Sequence, residues 1–176
     1  MNHNQLRPIC EILASLTTGA KITDMLSSLN IPCNLTVSKL KNDLQKFNIH
    51  PQILAFCRPE IINEDLFHLV FEASKCLLEE LRQLSGLSTD GNTLVNQCFN
   101  GNNPLIVINR LVTADEKSEH KGLQSLLNAV VYLYRNPKAH HLKHFNAETY
   151  QSTLEALVII SRARYALEHC FRNNAR

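Results

Sequence analysis

Leu66, Phe67, Val70, Phe71, Leu77, Leu78 and Leu81 recur at helical spacing and predict a long helix, capped by Asn63 and running to about Leu84. Ser85-Gly86 ends that pattern, and a second helix is expected over about 91–99. Leu105 to Ile108 is an apolar, β-branched run that predicts a short strand or β-hairpin near 105–113. Thr113 to Lys121 is polar with no apolar face and reads as a mobile loop. From Gly122, the residues Leu123, Leu126, Leu127, Val130, Val131 and Tyr134 predict a helix ending at Arg135. A last helix is expected from about Ala147 to Phe171. Its stretch Leu157-Val158-Ile159-Ile160 is apolar all round, the mark of burial in a core or a dimer interface.

The first sixty residues carry shorter periodic segments, about 3–16, 22–29 and 36–47 and a short one after Pro51, punctuated by Pro32, Pro51 and Pro59. The pattern therefore divides into a small helical N-terminal lobe, 1–61, and an all-α domain, 62–176. Ala20 to Leu29, a proline-containing turn and Val37 to Phe47 fit a DNA-binding helix-turn-helix, with Lys39, Lys41 and Lys46 on the second helix. Short amphipathic helices around a small core give the same pattern, and a helical cap or partner-binding lobe is the plainer reading.

The candidate chemistry sits at Tyr134-Arg135-Asn136-Pro137-Lys138-Ala139-His140. Pro137 cannot continue the preceding helix, since it lacks an N–H and its ring clashes with the turn before it. It also biases Asn136 toward extended backbone. Asn is a favoured N-cap and Pro a favoured first helical residue, so a new turn with free N–H groups is expected here, a small anion site. Arg135 adds a permanent planar cation, and His140 a group titrating near its reference pKa of about 6.5. Arg162 and Arg164 stand at similar distance from His169, but inside the last helical pattern, where they read as a solvated face.

Composition adds bounds. The 44% hydrophobic content is that of a globular chain, and no apolar run has the length of a membrane span. Met1 to Arg7 lacks a signal-peptide pattern, so the cytoplasm is the expected compartment. Cys10, Cys33, Cys57, Cys76, Cys98 and Cys170 form no Cys-x-x-Cys pair and read as buried free thiols. The net charge of +2 is uneven: residues 62–109 balance to −4, while 110–176 balance to +4 and hold five of the eight histidines. The basic region thus coincides with the candidate site and suits an anionic substrate. His140 and His144 have a zinc-compatible spacing, but no glutamate, cysteine or carboxylate ligand accompanies them, so no metal is expected. The five glycines form no phosphate-binding loop, and no cofactor is expected.

The long helix Leu66 to Leu84, Asp90-Gly91, Pro104, the polar segment before Gly122 and the Arg135 to His140 junction occur in an order that resembles the HEPN superfamily. More narrowly, residues 63–170 resemble its Ymh-like branch, associated with phage and abortive infection. The resemblance implies a helical bundle that dimerises with two motifs facing each other. Many members are metal-independent endoribonucleases used as toxins or defence effectors; others only bind. Carried over, Arg135 would neutralise the scissile phosphate, Asn136 would hold the site together, and His140 would exchange protons with the ribose 2′-OH or the leaving 5′-oxygen. Lys138, His141 and Lys143 are candidates for contacts to the RNA backbone, and His141 also satisfies the motif spacing. The expected partners are RNA, a second copy of the chain, and an antitoxin or regulatory protein, with no membrane. Rival readings are an inactive HEPN binding or scaffold module and a DNA-binding regulator acting through residues 20–47.

Overall fold

A computed structural model describes residues 34–62, 66–136 and 149–173. The segments 3–16 and 22–29, the expected cap Asn63, and the stretch holding Lys138, His140, His141 and Lys143 lie outside the described residues. Within them the fold is all-α. Its helices are α1 (Asn34–Gln45), α2 (Pro51–Leu54), α3 (Pro59–Ile62), α4 (Leu66–Ser85), α5 (Gly91–Phe99), α6 (Ala114–Val130) and α7 (Tyr150–Glu168). None of the described helices is long and apolar enough to cross a membrane.

The core forms where α4 lies against α7. Leu69, Val70, Ala73, Leu77 and Leu81 of α4 are fully buried, or nearly so, as are Ala156, Leu157, Ile160 and Ala163 of α7. Burying aliphatic side chains of this size contributes about 1.5–3 kcal/mol each. Helices α5 and α6 extend the core with Leu94, Val95, Cys98, Phe99, Leu123, Leu127 and Val130. The buried His120 hydrogen-bonds through Nε2 to the Phe99 carbonyl (3.0 Å) and so fixes the end of α5.

Residues 34–62 pack with these helices, although the sequence pattern puts a boundary near residue 61. Val37, Leu40 and Leu44 of α1 are buried, and the Tyr150 hydroxyl donates to Asp43 Oδ2 (2.7 Å). His50 N–H donates to Ser161 Oγ (2.8 Å). The His50 ring accepts from the Gln52 N–H at Nδ1 (3.1 Å), so the proton sits on Nε2, which donates to Glu168 Oε1 (2.8 Å). That bond holds the Glu168 carboxyl below its ordinary range.

Three expectations are corrected. The expected short strand is present as β1 (Ile106–Val107), but residues 105–113 form no local hairpin: β1 pairs antiparallel with β2 (Phe171–Arg172), the chain just beyond α7. Ile106 is fully buried, so its strand is held by the core and takes the backbone partner the core brings to it. The polar run after Thr113 is not a loop but the first two turns of α6. Thr113 Oγ1 accepts from the Glu116 N–H (3.1 Å), and Glu116 Oε2 accepts from the N–H of Thr113 (3.0 Å) and Val112 (2.7 Å). This reciprocal cap starts a helix that needs no apolar face in its exposed turns. Arg164, thirdly, does not belong to a solvated face: it is 5% exposed, pairs with Glu80 (3.1 Å) and donates from Nε to Gln52 Oε1 (2.6 Å). Arg162 is exposed, as read.

Candidate functional site

Arg135 closes the last turn of the α6 rod. Over Val131–Arg135 the backbone widens to hydrogen bonds five residues apart, ending with the Asn136 N–H on the Val131 carbonyl. Such a widened turn inserts an extra residue and rotates the following side chains relative to a regular helix; turns of this kind are frequent at functional sites. Tyr132 and Leu133, within it, are 62% and 61% exposed.

Asn136 is helical (φ −66°, ψ −46°), not an extended N-cap. Proline disfavours the helical conformation for the residue before it but does not forbid it. Here Asn136 keeps the helical conformation, with contacts from its side-chain amide to Arg135 and Asn92. Its Oδ1 accepts from Arg135 Nη1 (3.4 Å), its Nδ2 donates to Asn92 Oδ1 (3.4 Å), and its backbone N–H is satisfied by the widened turn.

The principal partner of Arg135 is Asp90, one residue before α5. Arg135 Nη2 donates to Asp90 Oδ2, while Arg82 Nη2 donates to Asp90 Oδ1 (2.7 Å). Arg82 is itself tied by Nη1 to Glu79 (2.9 Å) and by Nε to the Thr89 carbonyl (3.3 Å). Arg135 Nε is buried and has no hydrogen-bond partner among the described residues. Gly91 follows Asp90 with φ +58°, and a Cβ there would lie 3.9 Å from Asn136 Oδ1. A left-handed residue at this point turns the chain so that Asp90 faces Arg135 and α5 still runs along α6.

From this cluster a seam of amides runs along the facing sides of α5 and α6. Asn92 Nδ2 donates to Asn128 Oδ1 (2.6 Å), Asn128 Nδ2 to Asn96 Oδ1 (3.1 Å), and Gln124 Nε2 to Asn96 Oδ1 (3.2 Å) and Asn100 Oδ1 (2.6 Å). The seam couples the position of α5, and with it Asp90, to the helix that carries Arg135. A cleft of about 400 Å³ is lined by the exposed side of α4, including Arg82, together with Asp90, Arg135, Gln52 and Phe56.

Of the expected site residues, Arg135 and Asn136 are therefore side by side, while His140, Lys138, His141 and Lys143 lie outside the described residues. Arg82 and the amides of Asn92 and Asn128 were not singled out in the sequence. The i, i+4 repeat of Asn92, Asn96 and Asn100 opposite Gln124 and Asn128 was the legible signal. No group of three or more His, Cys, Asp or Glu suited to a metal occurs among the described residues. The described cysteines offer no activated thiol: Cys57, Cys98 and Cys170 are buried and free, Cys76 is free but half-buried and not buried as expected, and loss of hydration pushes Cys57 up to about 11, Cys170 up to about 12 and Cys76 upward. Of the lysines proposed for DNA, Lys39 lies over the Tyr150 ring (4.8 Å) and Lys46 pairs with Asp43 (2.6 Å).

Neither a curated protein nor a solved structure matches the chain. Residues 47–166, which include Arg82, Asp90, Arg135 and Asn136, match the family model described as a protein of unknown function, Hypoth_ymh, and the chain belongs to that family.

Proposed function

We propose that the chain is a HEPN-type, metal-independent endoribonuclease acting as a homodimer, with Arg135, Asn136 and His140 in its site, in a toxin or antiphage role. The observation that carries this reading is the placement of Arg135: a guanidinium held by Asp90 and Asn136 in the lining of a cleft. In the reaction the ribose 2′-oxygen attacks phosphorus in line, a histidine takes the 2′-OH proton, and the P–O5′ bond breaks as the leaving oxygen is protonated. The ends are a 2′,3′-cyclic phosphate and a 5′-OH. Charge building on the phosphoryl oxygens requires a fixed cation, the task of Arg135. One histidine is poorly suited to serve as base and acid at once, and two-fold symmetry would bring a second His140 to the same cleft. The exposed Tyr132 and Leu133, three and two residues before Arg135, suit an interface at that place.

A second reading, an inactive binding module of the same fold, is favoured by one observation: Asp90 already neutralises Arg135. The two are separated by incubating the protein with mixed RNA in EDTA, beside His140→Ala and Arg135→Ala variants checked for folding. Cleavage by wild type that vanishes in both variants and leaves cyclic-phosphate ends is the expected result. Folded, dimeric wild type that cuts no RNA would sink the nuclease reading and leave the binding module.

A further inference from the structure

Asp90 occupies the N-cap position of α5, yet its carboxylate makes no side-chain hydrogen bond to that helix. Its two oxygens go instead to two arginines from different helices, Oδ1 to Arg82 of α4 and Oδ2 to Arg135. The carboxylate is 41% exposed, the arginine side chains are 30% and 21% exposed, and all three residues line the cleft along α4. Two guanidinium groups converging on the two oxygens of one planar anion form the geometry that also grips two non-bridging oxygens of a phosphate. The carboxylate is partly open to solvent, so an incoming anion can reach the same donors and compete with it. Arg82 keeps two other anchors, Glu79 and the Thr89 carbonyl, and would stay aimed at the same point when Asp90 leaves.

We propose that Asp90 is a built-in competitor, closing a two-arginine phosphate site that a substrate phosphodiester opens by taking the carboxylate's place. The inference rests on the reading of Arg135 as a phosphate-binding residue, and adds Arg82 as a second phosphate ligand and Asp90 as the group that regulates access. Unliganded, Arg82, Arg135, Asp90 and Glu79 carry no net charge together; with Asp90 turned away, the two arginines face the ligand with an excess of positive charge. The site therefore rejects weak, monovalent anions and yields to a polyanion whose neighbouring phosphates add their own attraction.

The experiment uses the full chain and a fluorescent single-stranded RNA carrying 2′-O-methyl groups, which lacks the attacking hydroxyl and stays intact. Binding is read by anisotropy in EDTA for wild type, Asp90→Asn and Asp90→Asn combined with Arg82→Gln. Asp90→Asn should bind roughly tenfold tighter at low salt, the effect of one fewer negative charge at contact distance, and added salt should shrink the gain. The Arg82→Gln change should remove that gain. In the same proteins, inorganic phosphate in place of chloride at equal ionic strength should raise the melting temperature of Asp90→Asn more than that of wild type. A rise with phosphate alone, without tighter RNA binding, would overturn the polymer as ligand and with it the proposal. So would Asp90→Asn binding RNA no better than wild type while melting normally, which would make Asp90 a positioning residue. If Asp90→Asn does not fold, arginine side-chain NMR of wild type decides: RNA must shift the Arg82 and Arg135 resonances together, and a shift of Arg135 alone sinks the idea. Because binding is read without cleavage, tighter binding by Asp90→Asn stands even where wild type proves unable to cut RNA.

Discussion

Gly91 illustrates how one residue sets the site. Its φ of +58° is a conformation that L side chains enter only at a cost, although the space around it is open to ordinary contact, with Val131 Cγ1 at 3.8 Å from an added Cβ. Gly91→Ala should therefore destabilise by about 1–2 kcal/mol through backbone strain and not through collision. Gly91→Asn should lose less, since asparagine tolerates that region better. Urea melts of the three proteins check this, and equal losses for alanine and asparagine would point to a steric cause. The Asn-Pro step behaves differently from the rule that identified it. Proline marked the break, but Asn136 stays helical, its N–H closing the widened turn on the Val131 carbonyl. Arg135 was legible because an arginine beside a helix breaker is conspicuous in one dimension. Asp90 and Arg82, separated from it by dozens of residues, gain their meaning only through contact.

Helix α6 shows the same division among elements. Its inner half follows from Leu123, Leu127 and Val130, whereas its first turns depend on the Thr113–Glu116 cap. Thr113→Ala should cost about 1 kcal/mol and speed amide exchange in residues 114–120 ahead of the rest of the helix. Exchange unchanged there would mean that packing, not the cap, holds the start. The backbone N–H groups of Thr113 and Val112 hold the Glu116 carboxyl below its ordinary value near 4.5. A depressed carboxyl stabilises the fold fully above its unfolded value, and the contribution is lost as pH falls through the native one. Acid melts should thus show the Glu116→Gln loss shrinking below about pH 4.5; a loss independent of pH would refute the assignment. The widened turn at Val131–Arg135 has no such announcement in the residue pattern.

At the scale of the whole molecule, Arg164 ties three helices. It reaches from α7 to Glu80 on α4 and to Gln52 in α2, and its Nη1 has no hydrogen-bond partner among the described residues. Arg164 is buried but Glu80 is only half-buried, so Arg164→Ala, which removes both charge-assisted bonds, should destabilise by roughly 2 kcal/mol. Arg164→Met with Glu80→Gln should cost much less than that single change, since no charge is left uncompensated. Additive losses in the two substitutions would show that the pair is not coupled.

The sequence by itself determined the helical class, the end of α4, the extent of α5, the inner face of α6 and the arginine that follows it. These follow from short-range periodicity and from Pro and Gly backbone limits, which act within a few residues. Only the tertiary structure decided that Ile106 pairs with the strand after α7, that Arg164 is buried, and that Asp90 bridges Arg82 and Arg135. Each of those depends on which distant groups are brought within hydrogen-bond reach once water is excluded. The energy of a charge is set by those neighbours and not by its place in the chain.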